Sequence, residues 1–516
     1  MSKLNGSEVD VKSLSSSNPA ILEIENGQVE VIGEFENENL DYIQRFDIDA
    51  HTEPVSDGSI LKKVDRKFMV AMTITYTLQF LDKVVLNYAK VMGMTKDLHF
   101  KGNQFSALPT YFFVAYIFAE FVQGFYFIQK FPVAKVLAVN VFIWGVLSAC
   151  CAATSNFAGM LVVRVLLGVS ESSITPCLVL LTTNFYTRSE GAFRIGIWYS
   201  GLGLGQIFGG IISYLFQLVN ASFEGWRIMF IVIGVLNMFA GIYVWFMIPS
   251  TPLTSNFLTA KEKYVLLVKL TDGKIGVNGT KFIWTQALEL LFDIQAWLLL
   301  IICATISFSS NTISTFSATD IMSFGFTSKQ AALLNMPSGV VSIASSLLSL
   351  YVIMKGTPRF LAIVLFMIPA VCGGALMSFL PKSSKGGLLV GIYMVNTVTA
   401  PLAICYSWAG ANFAGSTKKI GSTAIFISIG FAIGNIVGPQ SYRVADAPNY
   451  YPAKISMLIT QCVSIGLAFL IWGIYFLRNK KRDREQKNME ISSEKEVEDV
   501  WNDLTDFQNR SFRYVY

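Results

Sequence analysis

Charged side chains inside apolar stretches are the residues of this chain best placed to do chemistry, because a charge in hydrocarbon costs several kcal/mol unless it pairs or faces water. In VVRVLLGVSESSITP, Arg164, Gly168, Glu171 and Thr175 recur at helical spacing and share one stripe. An earlier stretch carries Asp82 and Lys83, with Asn87 and Lys90 following on the Lys83 face, and another carries Glu120. A guanidinium stays charged at physiological pH and forks onto carboxylates, so Arg164 suits an organic anion or a neighbouring acid. Burial favours the protonated form of a carboxyl group, which is what a proton carrier requires. Asp82, Glu120 and Glu171 are therefore the proton-coupling candidates, and Lys83, Asn87, Lys90 and Arg164 the substrate-binding candidates. The bland alternative is a structural ion pair, with Arg164 held by Glu120 or Asp82. Arg164 and Glu171 stand about 10 Å apart along a helix axis, too far for a direct pair. Further along, Asn311, Trp408 and Asn412 either face the same pathway or act as polar glue between helices.

These residues need a membrane-embedded scaffold. The chain has 516 residues, 53% of them hydrophobic and 15% charged, with a mean hydropathy of +0.50. Apolar runs of roughly 20 residues, each long enough to cross a bilayer as a helix, recur about twelve times. They fall near 68–92, 108–129, 133–153, 157–183, 192–216, 228–249, 296–318, 330–354, 360–380, 387–409, 420–443 and 454–477. Every clear mid-span charge then lies in the first six. The expected architecture is an all-α polytopic membrane protein, twelve transmembrane helices in two six-helix bundles, 68–249 and 296–477. Residues 1–67 read as a disordered cytoplasmic tail, 250–295 as a cytoplasmic middle loop, and 478–516 as a second cytoplasmic tail. Thr259 and Glu262 have capping-box spacing, which predicts a short helix in the middle loop. An even number of spans puts both tails on one side, and their basic clusters favour the inside.

The stretch GLGLGQIFGG at 201–210 has too irregular a glycine spacing for a dinucleotide loop. Shifted by 229 residues it overlies the eleventh span, with Gly201, Gly205 and Gly209 over Gly430, Gly434 and Gly438, and Gln206 over Asn435. Two homologous halves follow from that repeat. Small residues at four-residue spacing let helix backbones approach, so these glycines and Gly210 are read as packing surfaces.

Several classes have no support. No nucleophile elbow, phosphate loop or HExxH motif is present, so the chain is not read as an enzyme or an ATP-driven pump. All seven cysteines fall in apolar spans without metal-ligand spacing, and His51 and His99 lie outside the spans. No metal, cofactor or nucleic-acid partner is expected; the partners are the lipid bilayer, protons and a small organic anion, carried by a monomer. Asn220-Ala221-Ser222 is a possible glycan acceptor.

Specific phrases add a family resemblance. Arg164-Val-Leu-Leu-Gly168 resembles the span-four R-x-x-x-G motif of the major facilitator superfamily, associated there with proton coupling. The 201–210 stretch resembles its span-five G-x-x-x-G-P-x-x-G-G antiport motif, but Gln206 replaces the proline, which disfavours antiport. The loop from Gly124 to Lys135 departs from the G-x-x-x-D-R-x-G-R-R gate motif, so no gating residue is carried over there. Phe80-Leu-Asp-Lys83, Gln129-Lys-Phe-Pro132, Leu334-Asn-Met-Pro-Ser-Gly339, Gly438-Pro-Gln440, Asp446-Ala-Pro448 and, in the tail, Asp503-Leu-Thr-Asp506 with Phe512-Arg-Tyr514 resemble the fungal allantoate permease, or anion:cation symporter, family. The resemblance runs from 64 to 516. It implies proton-coupled uptake of a small carboxylate or vitamin-like acid at the plasma membrane by alternating access. Uniport, antiport, or a non-transporting nutrient sensor on the same fold are the alternatives.

Overall fold

The computed structural model describes residues 57–219, 223–272, 283–487, 504–509 and 512–516. Within these, eleven continuous helical stretches are long and apolar enough to cross a membrane. The remaining span is assembled from Ser416–Ile420, a π-helical segment Gly421–Phe426 and Ile427–Gln440, which makes twelve. Helices suit this setting because each backbone N–H and C=O is satisfied within its own segment.

The spans are Asp57–Val91, Gln104–Val122, Val133–Cys150, Phe157–Phe185, Arg188–Phe216, Gly225–Met247, Ile294–Ser323, Ser328–Met354, Arg359–Phe379, Lys385–Asn412, Ser416–Gln440 and Tyr451–Lys487. Several are broken where the sequence demands it. Span four is interrupted between Glu171 and Ile174, and span eight resets at Asn335, just before Pro337, whose missing N–H cannot continue the ladder.

The repeat has a direct spatial counterpart. A Cβ on Gly205 would lie 2.8 Å from Thr77 O and 2.9 Å from Leu81 N of span one; on Gly434 it would lie 2.3 Å from Ala304 O and 2.7 Å from Phe308 N of span seven. In both halves a glycine thus presses on the backbone of residues four apart in the half's first helix. Gly201 and Gly209 continue the seam on span one, and Gly430 and Gly438 continue it on span seven. Gly210 instead faces Ala332 O and Met336 of span eight, so span five also joins the two halves.

Hydrogen bonds between the halves gather at the end opposite the tails. Ser328 Oγ donates to Val91 O, Gln440 Nε2 to Thr110 Oγ1, Ser106 Oγ to Tyr442 O, and Val444 N to Asn103 Oδ1. A polar chain also crosses the interface: Gln206 Nε2 donates to Asn335 Oδ1, and Asn335 Nδ2 to the Tyr88 hydroxyl.

The tail boundaries differ from expectation. Residues 1–56 of the expected first tail lie outside the described residues, as does Asn220, but 57–67 are helical and extend span one. Their polar groups have fixed partners: Arg194 grips Asp65 with Nε at 2.6 Å and Nη2 at 2.7 Å, and Lys63 meets Glu262 at 2.6 Å. The middle-loop helix Ala260–Asp272 begins at the capping box, with Thr259 N donating to Glu262 Oε2 and Glu262 N to Thr259 Oγ1.

The second tail differs more. Residues 478–487 prolong span twelve, and residues 504–509 and 512–516 pack against the tail-side end of the second bundle. Tyr514 stacks on Tyr475 with centroids 5.0 Å apart, and its hydroxyl donates to Asp506 Oδ2. Lys418, fully buried, meets Asp506 at 2.7 Å, Glu289 at 2.8 Å and Asp293 at 3.0 Å.

Candidate functional site

Span one contributes two consecutive charges to two different partners on span four. Asp82 is fully buried; its Oδ2 lies 3.1 Å from Arg164 Nη1, and its Oδ1 accepts from Ser148 Oγ of span three at 2.6 Å. Lys83, about a third of a turn further round, reaches Glu171 Oε1 at 2.8 Å. The seven-residue separation of Arg164 and Glu171 therefore matches two separate docking points, and they do not pair with each other.

The two pairs differ in access. Arg164 and Asp82 are 3% and 0% exposed, and Arg164 lies 5.3 Å from the Phe230 ring centroid. Two of its guanidinium nitrogens, Nε and Nη2, have no hydrogen-bond partner among the described residues. The Lys83 side chain retains 23% exposure while its partner Glu171 retains none. Phe113 sits 5.7 Å from Lys83 Nζ, and Tyr76 and Tyr116 lie within electrostatic reach of Glu171. The result is a fully buried carboxylate whose counter-charge keeps partial exposure.

Other expected site residues scatter. Asn87 joins the halves through Ser317 Oγ at 3.0 Å, and Glu120 does so by accepting from Ser428 Oγ at 3.3 Å. Lys90 lies toward the closed end, away from the double pair, above the rings of Phe105 and Phe316. Asn311 Nδ2 donates to Asn435 O, bonding span seven to span eleven. Trp408 and Asn412 do not join the double pair: Trp408 Nε1 and Asn412 Nδ2 both donate to Val515 O, and Asn412 Oδ1 accepts from Val515 N. Both hold the returning tail, which supplies exactly one backbone donor and acceptor there.

Buried charges of the second half escaped the sequence reading, Asp320 and Lys418 among them. Asp320, in the second half, is fully buried, accepts from the Tyr442 hydroxyl at 2.6 Å and faces Lys454 at 3.8 Å. The hydropathy edge near 318 had left it outside span seven. Its signal is the helical run to Ser323, with no Gly or Pro to stop it earlier.

A twelve-helix bundle pair with paired charges on spans one and four defines a membrane transporter, and the model of the Major Facilitator Superfamily matches residues 72–439. The chain belongs to that superfamily. Among relatives, the Thiamine pathway transporter of Saccharomyces cerevisiae is 37% identical over 459 residues, covering 89% of this chain and 86% of that protein. The Allantoate permease of the same yeast is 30% identical over 485 residues, covering 90% and 87%. Among solved structures, a bacterial homologue of the human lysosomal transporter Spinster, inward-facing and unoccupied, aligns with TM-score 0.60 at 18% identity over 81% of this chain and 98% of its own. A D-xylose-proton symporter aligns with TM-score 0.59 at 12% identity over 79% and 97%. The protein is thus a multi-pass membrane transporter, not an enzyme.

Proposed function

We propose that the protein takes up a small organic anion together with protons across the plasma membrane, with its tails in the cytoplasm. The observation that carries this reading is the Lys83–Glu171 pair, an accessible ammonium on a buried carboxylate. An incoming carboxylate competes for Lys83. Glu171 then loses its counter-charge in a site without solvent, and a proton stabilises it better than water can. Anion and proton thereby enter as a neutral set, which avoids moving a net charge through hydrocarbon. Arg164, with nitrogens still unbonded, adds positive potential beside the same route.

The likeness to relatives named for allantoate and for the thiamine pathway supports a small polar nutrient as cargo. Alternating access would consist of the two bundles rocking about the interface of spans one, two, five, seven, eight and eleven. The test is uptake of radiolabelled carboxylates and vitamin acids at two external pH values, in cells with and without the protein. Accumulation of one anion that quickens at acid pH is the expected result. Uptake with no dependence on pH removes proton coupling, and binding without accumulation removes transport.

A further inference from the structure

The end opposite the tails is closed by an aromatic cluster with a cation at its centre. Lys90 Nζ lies 4.6 Å from the Phe105 centroid, 4.6 Å from that of Phe316 and 5.8 Å from that of Tyr450. Phe105 belongs to the first half, whereas Phe316 and Tyr450 belong to the second, so the ammonium is shared across the interface. Phe105 and Phe316 meet edge to face at 5.6 Å, and Phe316 stacks on Tyr442 at 4.1 Å. Among the described residues Lys90 makes no ion pair; Asp320, within electrostatic reach, is already engaged by Tyr442 and Lys454.

Beside this cluster opens a cleft of about 510 Å³, lined by Lys90, Lys96, His99, Tyr442 and Tyr450 among others. None of the lining residues is a carboxylate. A cleft with one sign of charge and low-dielectric aromatic walls concentrates counter-ions. Cation–π contact holds an ammonium less tightly than a desolvated carboxylate does, so the rings are partners that an anion can displace.

We propose that this cleft is an anion-capture site on the face away from the tails, in which Lys90 exchanges its aromatic partners for the carboxylate of an arriving small organic anion. The proposal deepens the anion-uptake reading and names a second, earlier station on the route. It also links capture to opening: a Lys90 drawn toward an anion no longer ties Phe105 to Phe316, and the contact between halves loosens there.

The test needs no transport. Thr95, which lines the cleft, is replaced in the full chain in membranes (Thr95→Cys), and its modification rate is compared for an anionic sulfonatoethyl and a cationic trimethylammonioethyl methanethiosulfonate, with the unsubstituted protein as background. We expect the anionic reagent to be favoured, the preference to fall roughly tenfold in Lys90→Gln, and Lys90→Arg to retain it. Benzoate should slow modification with Lys90 present and have no effect in Lys90→Gln. A preference unchanged by Lys90→Gln, or no protection by benzoate, overturns the capture site. Because these rates are read at a surface cysteine, a protein that failed to accumulate any carboxylate would still pass or fail this test separately.

Discussion

Arg164 Nη1 stands 3.1 Å from Asp82 Oδ2 with both side chains sealed from solvent, so this pair ties span four to span one. Removing one member of a buried pair strands the other, at a cost of about 3–5 kcal/mol, whereas replacing both with apolar groups is often neutral. Asp82→Leu should therefore lower the thermal midpoint and the amount of protein at the membrane, and the double variant Asp82→Leu with Arg164→Met should recover both. Thermal unfolding in detergent, followed by tryptophan emission, measures this. A double variant no better than the single would show that the pair is not mainly structural.

The neighbouring pair predicts a different phenotype. Glu171→Gln keeps the shape and a hydrogen-bonding group beside Lys83 but cannot bind a coupling proton. Uptake should lose its acceleration at acid pH and its accumulation against a gradient, while surface abundance stays close to wild type. Retained pH dependence in uptake assays would take Glu171 out of the coupling step.

The glycine seams give a paired contrast. A Cβ at Gly434 would sit 2.3 Å from a backbone oxygen of span seven, while one at Gly410 meets nothing within 4 Å. Gly434→Ala should therefore separate spans seven and eleven and cost on the order of 1–3 kcal/mol as overpacking. Gly410→Ala should be neutral or gain up to about 1 kcal/mol from helix propensity. Size-exclusion profiles after graded heating distinguish the two.

The middle-loop helix should loosen in acid. Burial works against the carboxylate of Glu262, but hydrogen bonds from Lys63 and Thr259 hold its pKa below the ordinary one. A depressed carboxylate contributes stability above its unfolded pKa, about 4.3, and that contribution is lost as pH falls through the folded value. Hydrogen exchange in 260–272 should quicken below that range and not between neutral and mildly alkaline pH.

Much of the scaffold was legible because hydrophobic run length and small-residue spacing are one-dimensional signals. The 229-residue repeat by itself locates the glycine pairs. The pairing on span one was only half legible: Asp82 was among the partners named for Arg164, but the match of Lys83 to Glu171 depends on helix rotation that spacing alone leaves open. Gln206 read as a missing proline and as the repeat counterpart of Asn435, and neither reading shows that its amide bonds Asn335 across the halves. Trp408 and Asn412 misled most. A polar group in an apolar span invites a pathway role, and nothing local reveals that a distant backbone segment returns to satisfy it.

The returning segment also bears on how the protein is made. Lys418, Trp408 and Asn412 leave the ribosome well before Asp506 and Val515, so for that interval a buried ammonium lacks one counter-charge and two donors lack their acceptor. The second bundle can thread into the bilayer during synthesis, but its tail-side end is finished only afterwards. A nascent chain stalled short of that segment would present an unclosed polar surface to the cell's quality control, giving assembly a completion step separate from membrane insertion.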